Sequence, residues 1–247
     1  MSTVLITGAN KGIGLGFVKK YLNRPNTTVI AGVRNPTSPE AKAISELPKA
    51  DGSKVIIVKI ENTSDTDAAE AVESIKKQGV DKLDIAIANA GIYGTDAFVK
   101  VSEIKTKDLL EHFDVNTAGT VRLFQAVLPL LKKGDNPRFL ALSSIVGTIG
   151  LMDQIPFNVP SYGSSKAAIN FLTRRIHFEN EDLISIAVHP GAVQTDNGNA
   201  AARFFGLPEA NVTLDESVDG LVGILDKASR EETSGKFLSY DGTAIPW

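Results

Sequence analysis

The stretch Val4-Leu5-Ile6-Thr7-Gly8-Ala9-Asn10-Lys11-Gly12-Ile13-Gly14 passes from an apolar, β-branched run directly into a glycine loop. Glycines at the spacing Gly-x-x-x-Gly-x-Gly let the backbone turn sharply and let a pyrophosphate approach it closely. A helical pattern follows, so a phosphate would lie at a helix N-terminus, where free N–H groups and the helix dipole favour anions. An ordinary strand-to-helix turn is the alternative. The strand before the loop and the helix after it favour a dinucleotide site.

Short apolar runs alternate with helical stretches along the rest of the chain. Strands are predicted over residues 4–7, 28–33, 54–60, 83–89, 138–143, 183–188 and 236–240. Helices are predicted over 13–23, 39–47, 65–77 with Asp65 as its cap, 106–131, 161–179 and 214–228. This alternation predicts an α/β, doubly wound parallel sheet with helices on both faces, and we find no boundary that would divide residues 1–247 into two domains. Two long connections, 146–160 and 190–214, are expected to carry function.

Composition excludes several classes of protein. The 247 residues have a formal net charge of −3 and no cysteine, which excludes disulfides, thiolate metal sites and a cysteine nucleophile. The chain has no block of basic residues, so we expect binding to neither nucleic acid nor membrane. No leader or membrane-spanning run is visible, which predicts a cytoplasmic protein. The three histidines, His112, His177 and His189, lack metal-ligand spacing, and no metal is predicted.

The end of the second strand indicates which dinucleotide would bind. An enzyme that uses NAD usually has an acid there to hold the ribose 2′-hydroxyl, whereas a 2′-phosphate requires a basic group. Here the strand ends Ala31-Gly32-Val33-Arg34, without an acid. The guanidinium of Arg34 suits a phosphate, and Lys11 would add a second cation. Two solvated surface charges are the alternative, but the missing acid favours NADP(H).

Tyr162 and Lys166 are candidates for acid–base chemistry. Residues four apart lie on one face of a helix, and a nearby cation lowers the pKa of a phenol. The pair Ser143-Ser144 ends the fifth predicted strand, where a hydroxyl would stabilise negative charge developing on a carbonyl oxygen. Serines at strand ends are also common turn formers, and a Tyr-x-x-x-Lys pair by itself is weak evidence.

Taken together, these motifs resemble the short-chain dehydrogenase/reductase family over nearly the whole chain. The matching pieces occur in the family order: Thr7-Gly8-x-x-x-Gly12-x-Gly14, Asn89-Ala90-Gly91, Asn116 within Asp114-Val115-Asn116-Thr117, Ser144, Tyr162-x-x-x-Lys166, and Pro190-Gly191 with Thr195. The resemblance implies one Rossmann-type domain with a seven-stranded parallel sheet. The pair Asn10-Lys11 and the closing Gly235 to Trp247 are similar to the sniffer/C-factor-like carbonyl reductase branch, near fungal norsolorinic acid ketoreductase-like proteins.

The resemblance also implies residue roles. Tyr162 is expected to be the general acid, Lys166 to lower its pKa and hold the nicotinamide ribose, and Ser144, rather than Ser143, to orient the carbonyl. Asn116 would kink its helix and hold a water of the proton relay; a mid-helix polar residue is the alternative. The implied cofactor contacts are Thr7, Gly8, Asn10, Lys11, Gly12, Ile13, Gly14, Arg34, Glu61, Asn62, Asn89, Ala90, Gly91, Tyr162, Lys166, Pro190, Gly191, Val193 and Thr195. Glu61 stands where the family often has Asp, and the alternative for Thr195 is a helix cap.

The interval from Ser144 to Tyr162 is longer than in many family members, because it contains an apolar insert, residues 150–158. The insert would lie beside the active site or on the usual dimer helices, so we expect a monomer or homodimer rather than a tetramer. The predicted substrate pocket comprises Tyr93, Ile145, Phe157, Phe204 and Phe205, although the Phe pair is equally consistent with helix packing. The sequence thus predicts NADPH-dependent reduction of a hydrophobic or aromatic ketone or aldehyde. Alternatives are oxidation of a secondary alcohol at the same site and a non-catalytic NADP-binding sensor or scaffold.

Overall fold

Seven parallel strands form one sheet in the computed structural model, which describes residues 2–94 and 98–247. The strands are β1 (Ser2–Thr7), β2 (Thr27–Val33), β3 (Lys54–Lys59), β4 (Ile85–Ala88), β5 (Arg138–Leu142), β6 (Ile184–His189) and β7 (Phe237–Ser239). Their order is β3-β2-β1-β4-β5-β6-β7, so the direction of winding reverses between β1 and β4. Open α/β sheets bind ligands at this switch point, beyond the carboxyl ends of the strands. The predicted Rossmann-type, doubly wound sheet is confirmed.

The helices are α1 (Gly12–Leu22), α2 (Pro39–Ala43), α3 (Asp67–Lys77), α4 (Thr106–His112), α5 (Gly119–Leu131), α6 (Pro160–Glu179), α7 (Asp196–Phe204) and α8 (Leu214–Lys227). They cover both faces, and alternate strand residues face opposite layers. In β1, Val4 and Ile6 pack into the core beneath α1 and α8, whereas Leu5 packs into the core beneath α3, α5 and α6. Burial on both sides explains why the strands are almost continuously apolar.

Two predictions about helices were wrong. Helix α7 lies inside residues 190–214, for which the sequence predicts a long loop. The helix was missed because its first turn contains Gly198 and asparagines, which weaken the helical signal. Asp65 does not cap α3: the helix begins at Asp67, whose backbone N–H donates to Ser64 Oγ at 3.1 Å. Asp65 instead pairs with Arg122 of α5 at 2.6 Å, a contact between distant parts of the chain.

The predicted long helix 106–131 is present but interrupted. Between α4 and α5 the chain forms a π-helical segment, Phe113–Ala118, that contains Asn116. Such wide turns are rare and occur frequently at functional sites, because the extra residue turns a side chain away from its helical position. The expected distortion of the helix at Asn116 is therefore seen.

Within the described ranges, 2–94 and 98–247, no helix is both long and apolar enough to cross a membrane. The same residues contain no group of three or more His, Cys, Asp or Glu side chains placed to hold a metal ion.

Candidate active site

The glycine loop between β1 and α1 has a backbone conformation and close contacts that favour glycine. Gly8 and Gly12 have φ values of +63° and +52°, in the left-handed region. A Cβ added at Gly14 would lie 2.1 Å from the carbonyl oxygen of Gly8. No side chain from the described part of the chain caps the N-terminus of α1, while Ile13 packs against the core and Lys11 is exposed. These features fit a pyrophosphate that approaches the backbone amides directly.

Thr7 and Asn89 join this loop to the neighbouring strand β4. Thr7 Oγ1 accepts hydrogen bonds from the backbone N–H groups of Asn89 at 3.1 Å and Ala90 at 3.0 Å. The Asn89 side-chain amide donates to the Thr7 carbonyl at 2.8 Å. The family resemblance implies that both residues contact the cofactor. Their side chains shape the loop across the switch point, so any cofactor contact would come in addition to that role.

The ends of β2 and β3 place one cation beside one anion. Arg34 follows β2 with 81% of its side chain exposed, and its Nε lies 3.7 Å from a carboxylate oxygen of Glu61. An exposed pair at that distance contributes little to stability, so the guanidinium is free to bind a phosphate. The neighbouring Asn62 is buried and donates to the carbonyls of Val115 at 2.9 Å and Ala90 at 3.2 Å. Its side chain therefore links the segment after β4 to the π-helical segment that contains Val115.

Helix α6 presents Tyr162 and Lys166 to the carboxyl end of β5. Lys166 Nζ donates to the Leu142 carbonyl at 2.7 Å and lies 5.4 Å from the centre of the Tyr162 ring. Ser144 follows β5, and its Oγ accepts from the Val146 N–H at 3.4 Å. The Ser144 hydroxyl also lies close enough to the Tyr162 phenol to lower the pKa of Tyr162. The three predicted catalytic side chains therefore meet in one place. Lys166 is itself buried.

The charges at this site depend on burial. Burial raises the pKa of Tyr162, the neighbouring Tyr93 phenol raises it further, and the Ser144 hydrogen bond lowers it. Burial also lowers the pKa of Lys166 to about 7. The sequence had predicted a lowered phenol pKa through Lys166. Among the groups of the protein itself, the result is the opposite: withdrawal of the phenol from water raises the pKa of Tyr162, and Ser144 rather than Lys166 is the group that lowers it.

Asn116 connects three segments around Tyr162. Its Oδ1 accepts from the Ile92 N–H at 2.8 Å, and its Nδ2 donates to the Ile92 carbonyl at 3.2 Å and to Ser165 Oγ at 3.0 Å. Ser165 Oγ in turn donates to the Tyr162 carbonyl at 2.7 Å. Gly91 permits the approach, because a Cβ there would lie 2.9 Å from Asn116 Oδ1. The amide thus fixes the segment after β4 against α6, a role that neither sequence-based interpretation of Asn116 had included.

The residues after β6 lie on the glycine-loop side of the sheet edge. Thr195 Oγ1 accepts from the Gly198 N–H at 3.1 Å and caps α7, so the helix-cap alternative describes its hydroxyl. Its methyl carbon would be 3.3 Å from a Cβ added at Gly12. Gly191 has a φ of +86°, and the Pro190 carbonyl accepts from Ser217 Oγ at 2.6 Å. Val193 forms an isolated parallel bridge with Val212.

A series of aromatic rings extends outward from Tyr162. Tyr93 lies 4.4 Å from it and 4.9 Å from Phe98, which stacks on Phe205 at 5.4 Å. Phe157 of the insert contacts Phe205 at 4.5 Å, and Phe204 meets Phe98 edge-on at 5.0 Å. Three separate segments therefore build one aromatic wall beside the candidate general acid.

One predicted pocket residue lies elsewhere. Ile145 packs with Leu151 and Trp247 against a small core of Ala187, Phe237 and Ile245, not in the aromatic wall. The turn of residues 145–147 directs this side chain away from the pocket. Phe98 takes a place in the wall that we had not predicted, because its segment has no periodic pattern.

Residues 2–204 match the family model described as short chain dehydrogenase. The chain belongs to the short-chain dehydrogenase family. Short-chain dehydrogenase srdF of Neurospora crassa is 43% identical over 250 residues, an alignment that covers 100% of this chain and 98% of the relative. Norsolorinic acid ketoreductase nor1 of Dothistroma septosporum is 41% identical over 251 residues, covering 100% and 92%.

Solved structures of this short-chain dehydrogenase fold include two carbonyl reductases. The NADPH-bound carbonyl reductase from chicken fatty liver has a TM-score of 0.86 at 33% identity, covering 100% of this chain and 99% of that one. Carbonyl reductase Sniffer of D. melanogaster has a TM-score of 0.85 at 26% identity, with both chains fully covered at 100%. The predicted resemblance and the assignment to short-chain oxidoreductases are confirmed.

Two side chains that support this short-chain dehydrogenase site, Asn170 and Ser165, were not predicted from the sequence. Asn170 Oδ1 accepts from Ser143 Oγ at 2.6 Å, and its Nδ2 donates to the Gly147 carbonyl at 3.3 Å. Ser143 is fully buried in this contact, which leaves Ser144 as the serine that faces Tyr162. Asn170 lies one helical turn beyond Lys166, and this spacing is the sequence signal that could have identified it. Ser165 is the second side chain that was missed, and it directly precedes Lys166.

The buried Lys166 of this short-chain dehydrogenase gives a prediction for stability. An unfolded lysine has a pKa of about 10.4. Because its folded pKa is about 7, the unfolded state binds more protons between these values, and the free energy of unfolding rises with pH there. In urea unfolding, the free energy of unfolding of the wild type minus that of Lys166→Met should therefore increase between about pH 7 and about pH 9. The Lys42→Met variant, at an exposed position, is the control, and its free energy of unfolding should change with pH in the same way as that of the wild type. A difference between wild type and Lys166→Met that does not change with pH would contradict the prediction.

Proposed function

We propose that the protein is an NADPH-dependent carbonyl reductase that converts a hydrophobic, aromatic ketone or aldehyde to the alcohol. The observation that carries this proposal is the meeting of Ser144, Tyr162 and Lys166 at the sheet edge, beside a glycine loop that lies next to Arg34. NADP(H) is the cofactor, and the relatives named above include an NADPH-bound carbonyl reductase. Glycine amides at the N-terminus of α1 would hold its pyrophosphate, and Arg34 its 2′-phosphate.

The protein's own groups supply the proton chemistry. When bound, NADPH supplies a hydride to the carbonyl carbon. Ser144 would donate a hydrogen bond to the carbonyl oxygen, and Tyr162 would give that oxygen a proton as negative charge develops on it. The raised pKa of Tyr162 keeps the phenol protonated at neutral pH, which suits a donor in the reducing direction. Lys166 would hold the nicotinamide ribose, within reach of the Tyr162 side chain.

Asn116 acts in this proposal as a positioning residue. Its amide already bonds Ile92 and Ser165, so its contribution is to hold the segment after β4 and the first turn of α6 in register. A proton-relay water bound at Asn116, as the family resemblance implies, stays a prediction. So do the cytoplasmic location and the monomeric or dimeric state.

The substrate class follows from the aromatic wall. Phe98, Phe157 and Phe205 lie in contact beside Tyr93, which touches Tyr162. Flat aromatic groups pack well against such rings, because offset stacking adds to the burial of apolar area. Two of the wall's rings, Phe157 and Phe204, are 42% and 52% exposed, so they are available to a ligand. The name of one relative, norsolorinic acid ketoreductase nor1, agrees with a ketone substrate.

The direct test is oxidation of NADPH in the presence of matched carbonyl pairs, each an aryl ketone and its cyclohexyl counterpart. We expect turnover, with kcat/KM at least about tenfold higher for the aryl member, which corresponds to about 1.4 kcal/mol of stacking. Equal values within each pair would contradict the aromatic part. Tight NADPH binding without turnover of any carbonyl would favour the sensor or scaffold. Faster reaction of the matching alcohols with NADP⁺ at neutral pH would favour oxidation as the physiological direction.

The Arg34→Asp variant tests the choice of cofactor. It replaces the cation beside Glu61 by a second carboxylate, which repels a 2′-phosphate but leaves room for a ribose hydroxyl. We expect the Kd for NADPH to rise about 100-fold, while that for NADH changes less than about threefold, as measured by nicotinamide fluorescence. Lys54→Asp is the control: it makes the same charge change at the opposite end of neighbouring β3. An unchanged NADPH/NADH ratio in Arg34→Asp would refute the assignment.

A further inference from the structure

Trp247, the single tryptophan of the chain, packs where two catalytic elements meet. Its ring stacks on Phe237 of β7 at 5.8 Å, and the Arg174 guanidinium of α6 lies 5.2 Å from the ring centre. Helix α6 is the element that carries Tyr162 and Lys166. The ring therefore joins the last strand of the sheet to the catalytic helix on the side remote from the glycine loop.

The backbone around Trp247 holds a second element, the segment that follows Ser144. The backbone oxygen of Trp247 accepts from the Gly150 N–H at 2.9 Å, and the Pro246 carbonyl accepts from Thr148 Oγ1 at 2.5 Å. Thr148 is almost completely buried. A Cβ at Gly150 would lie 3.2 Å from the backbone oxygen of Trp247, so the two backbones are in close contact.

Side chains on the Ser144 segment pack into the same cluster. Ile145, the residue directly after Ser144, and Leu151 both pack against the small core of Ala187, Phe237 and Ile245, and Trp247 packs against the same core. On its other side, the turn of residues 145–147 presses against α6, where a Cβ at Gly147 would lie 2.8 Å from the Lys166 Cβ. The segment is therefore held between α6 and the Trp247 cluster, and Ser144 stands at its start.

We propose that Trp247 is a positioning residue for catalysis: it locks the Ser144 segment against α6 and so sets the distance between the Ser144 and Tyr162 hydroxyls. Both hydroxyls must reach one carbonyl oxygen, and small misplacements of reacting groups by distant changes reduce turnover strongly. The glycine loop and Arg34 follow β1 and β2, across the sheet, so the phosphate contacts that we assign to them lie away from this lock.

The test combines hydrogen exchange with kinetics on the full chain. In Trp247→Ala, amide exchange over residues 144–152 should accelerate about tenfold, while exchange over 8–15 and the Kd for NADPH stay within about twofold of wild type. For an aryl ketone, kcat should fall about tenfold, and Trp247→Phe, which keeps a stacking ring, should restore most of it. Phe178→Ala is the matched control: this exposed ring contacts the same Arg174 at 6.0 Å and should change neither measurement.

Only the kinetic part of this test rests on the proposed function. If the wild type reduces no carbonyl, that function fails, and exchange over 144–152 still decides whether Trp247 holds the segment. Faster exchange with unchanged kcat would overturn the positioning role, and unchanged exchange would overturn the lock itself. Should Trp247→Ala not fold, Thr148→Val removes only the hydrogen bond to Pro246. Thr148→Val should then speed amide exchange over residues 144–152 and shift the tryptophan fluorescence emission to the red. Thr148→Ser, which keeps the hydroxyl, should restore both. If Thr148→Val changes neither measurement, the proposal is overturned.

Discussion

Replacing Tyr162 by phenylalanine is expected to reduce kcat for carbonyl reduction about 10²–10⁴-fold, the contribution of a positioned general acid. The substitution removes one hydroxyl and keeps the ring that contacts Tyr93 at 4.4 Å and lies beneath Lys166. The aromatic wall and the cofactor cradle are therefore left in place. The Kd for NADPH should change less than about threefold, so the loss appears in turnover rather than in binding.

Tyr21→Phe is the matched control for this experiment. Tyr21 is another buried phenol whose pKa is raised by burial, but it lies on α1 within the core beneath α1 and α8. Its hydroxyl has no hydrogen-bond partner among residues 2–94 and 98–247, so removal should leave kcat unchanged. Steady-state kinetics of both variants with one aryl ketone make the comparison. A Tyr162→Phe enzyme with full activity would eliminate this mechanism.

The second large effect is expected from Gly14→Ala. The new methyl group would lie 2.1 Å from the Gly8 carbonyl oxygen and 2.6 Å from Asn89 Nδ2. The Gly8 backbone and the Asn89 side chain must both move, and the loop loses the shape that admits a pyrophosphate. We expect the Kd for NADPH to rise at least about tenfold, or about 1.4 kcal/mol, by titration of nicotinamide fluorescence.

Gly223→Ala is the control for steric effects of the added methyl. Gly223 lies within α8, and a Cβ there meets no atom of the described residues within 4 Å. Alanine in a helix interior is favoured over glycine by about 0.5–1 kcal/mol, so this variant should melt slightly higher and bind NADPH normally. If Gly14→Ala bound NADPH as tightly as Gly223→Ala, the glycine loop would not be the pyrophosphate site.

Local features of the sequence predicted most of the sheet and the catalytic helix. Apolar runs identified the strands because helices cover both faces of the sheet, and the glycine spacing identified the turn from β1 to α1. The i to i+4 relation placed Tyr162 and Lys166 on one helical face whatever the rest of the fold does. Segments without such periodicity were predicted less well. The error at α7 arose because Gly198 hid its first turn, which Thr195 caps.

The partners of polar side chains could not be predicted, because they come from distant parts of the chain. Asp65 resembles a helix cap locally, yet the folded chain brings Arg122 within 2.6 Å of it. Asn116 was identified, but its bonds to Ile92 and Ser165 depend on how α4, α5 and α6 pack. The pKa of Tyr162 likewise reflects burial, which exists only after folding.

The sequence by itself determined the parallel sheet, the site at its switch point and the residue types that perform the chemistry, because strand, turn and helix signals act over a few neighbouring residues. The tertiary structure alone decided how these residues are held. It directed Ile145 away from the pocket and Phe98 into it, and it brought Trp247 against the segment after Ser144. Those contacts join residues far apart in the chain, and only the packing of helices and loops on the completed sheet brings them together.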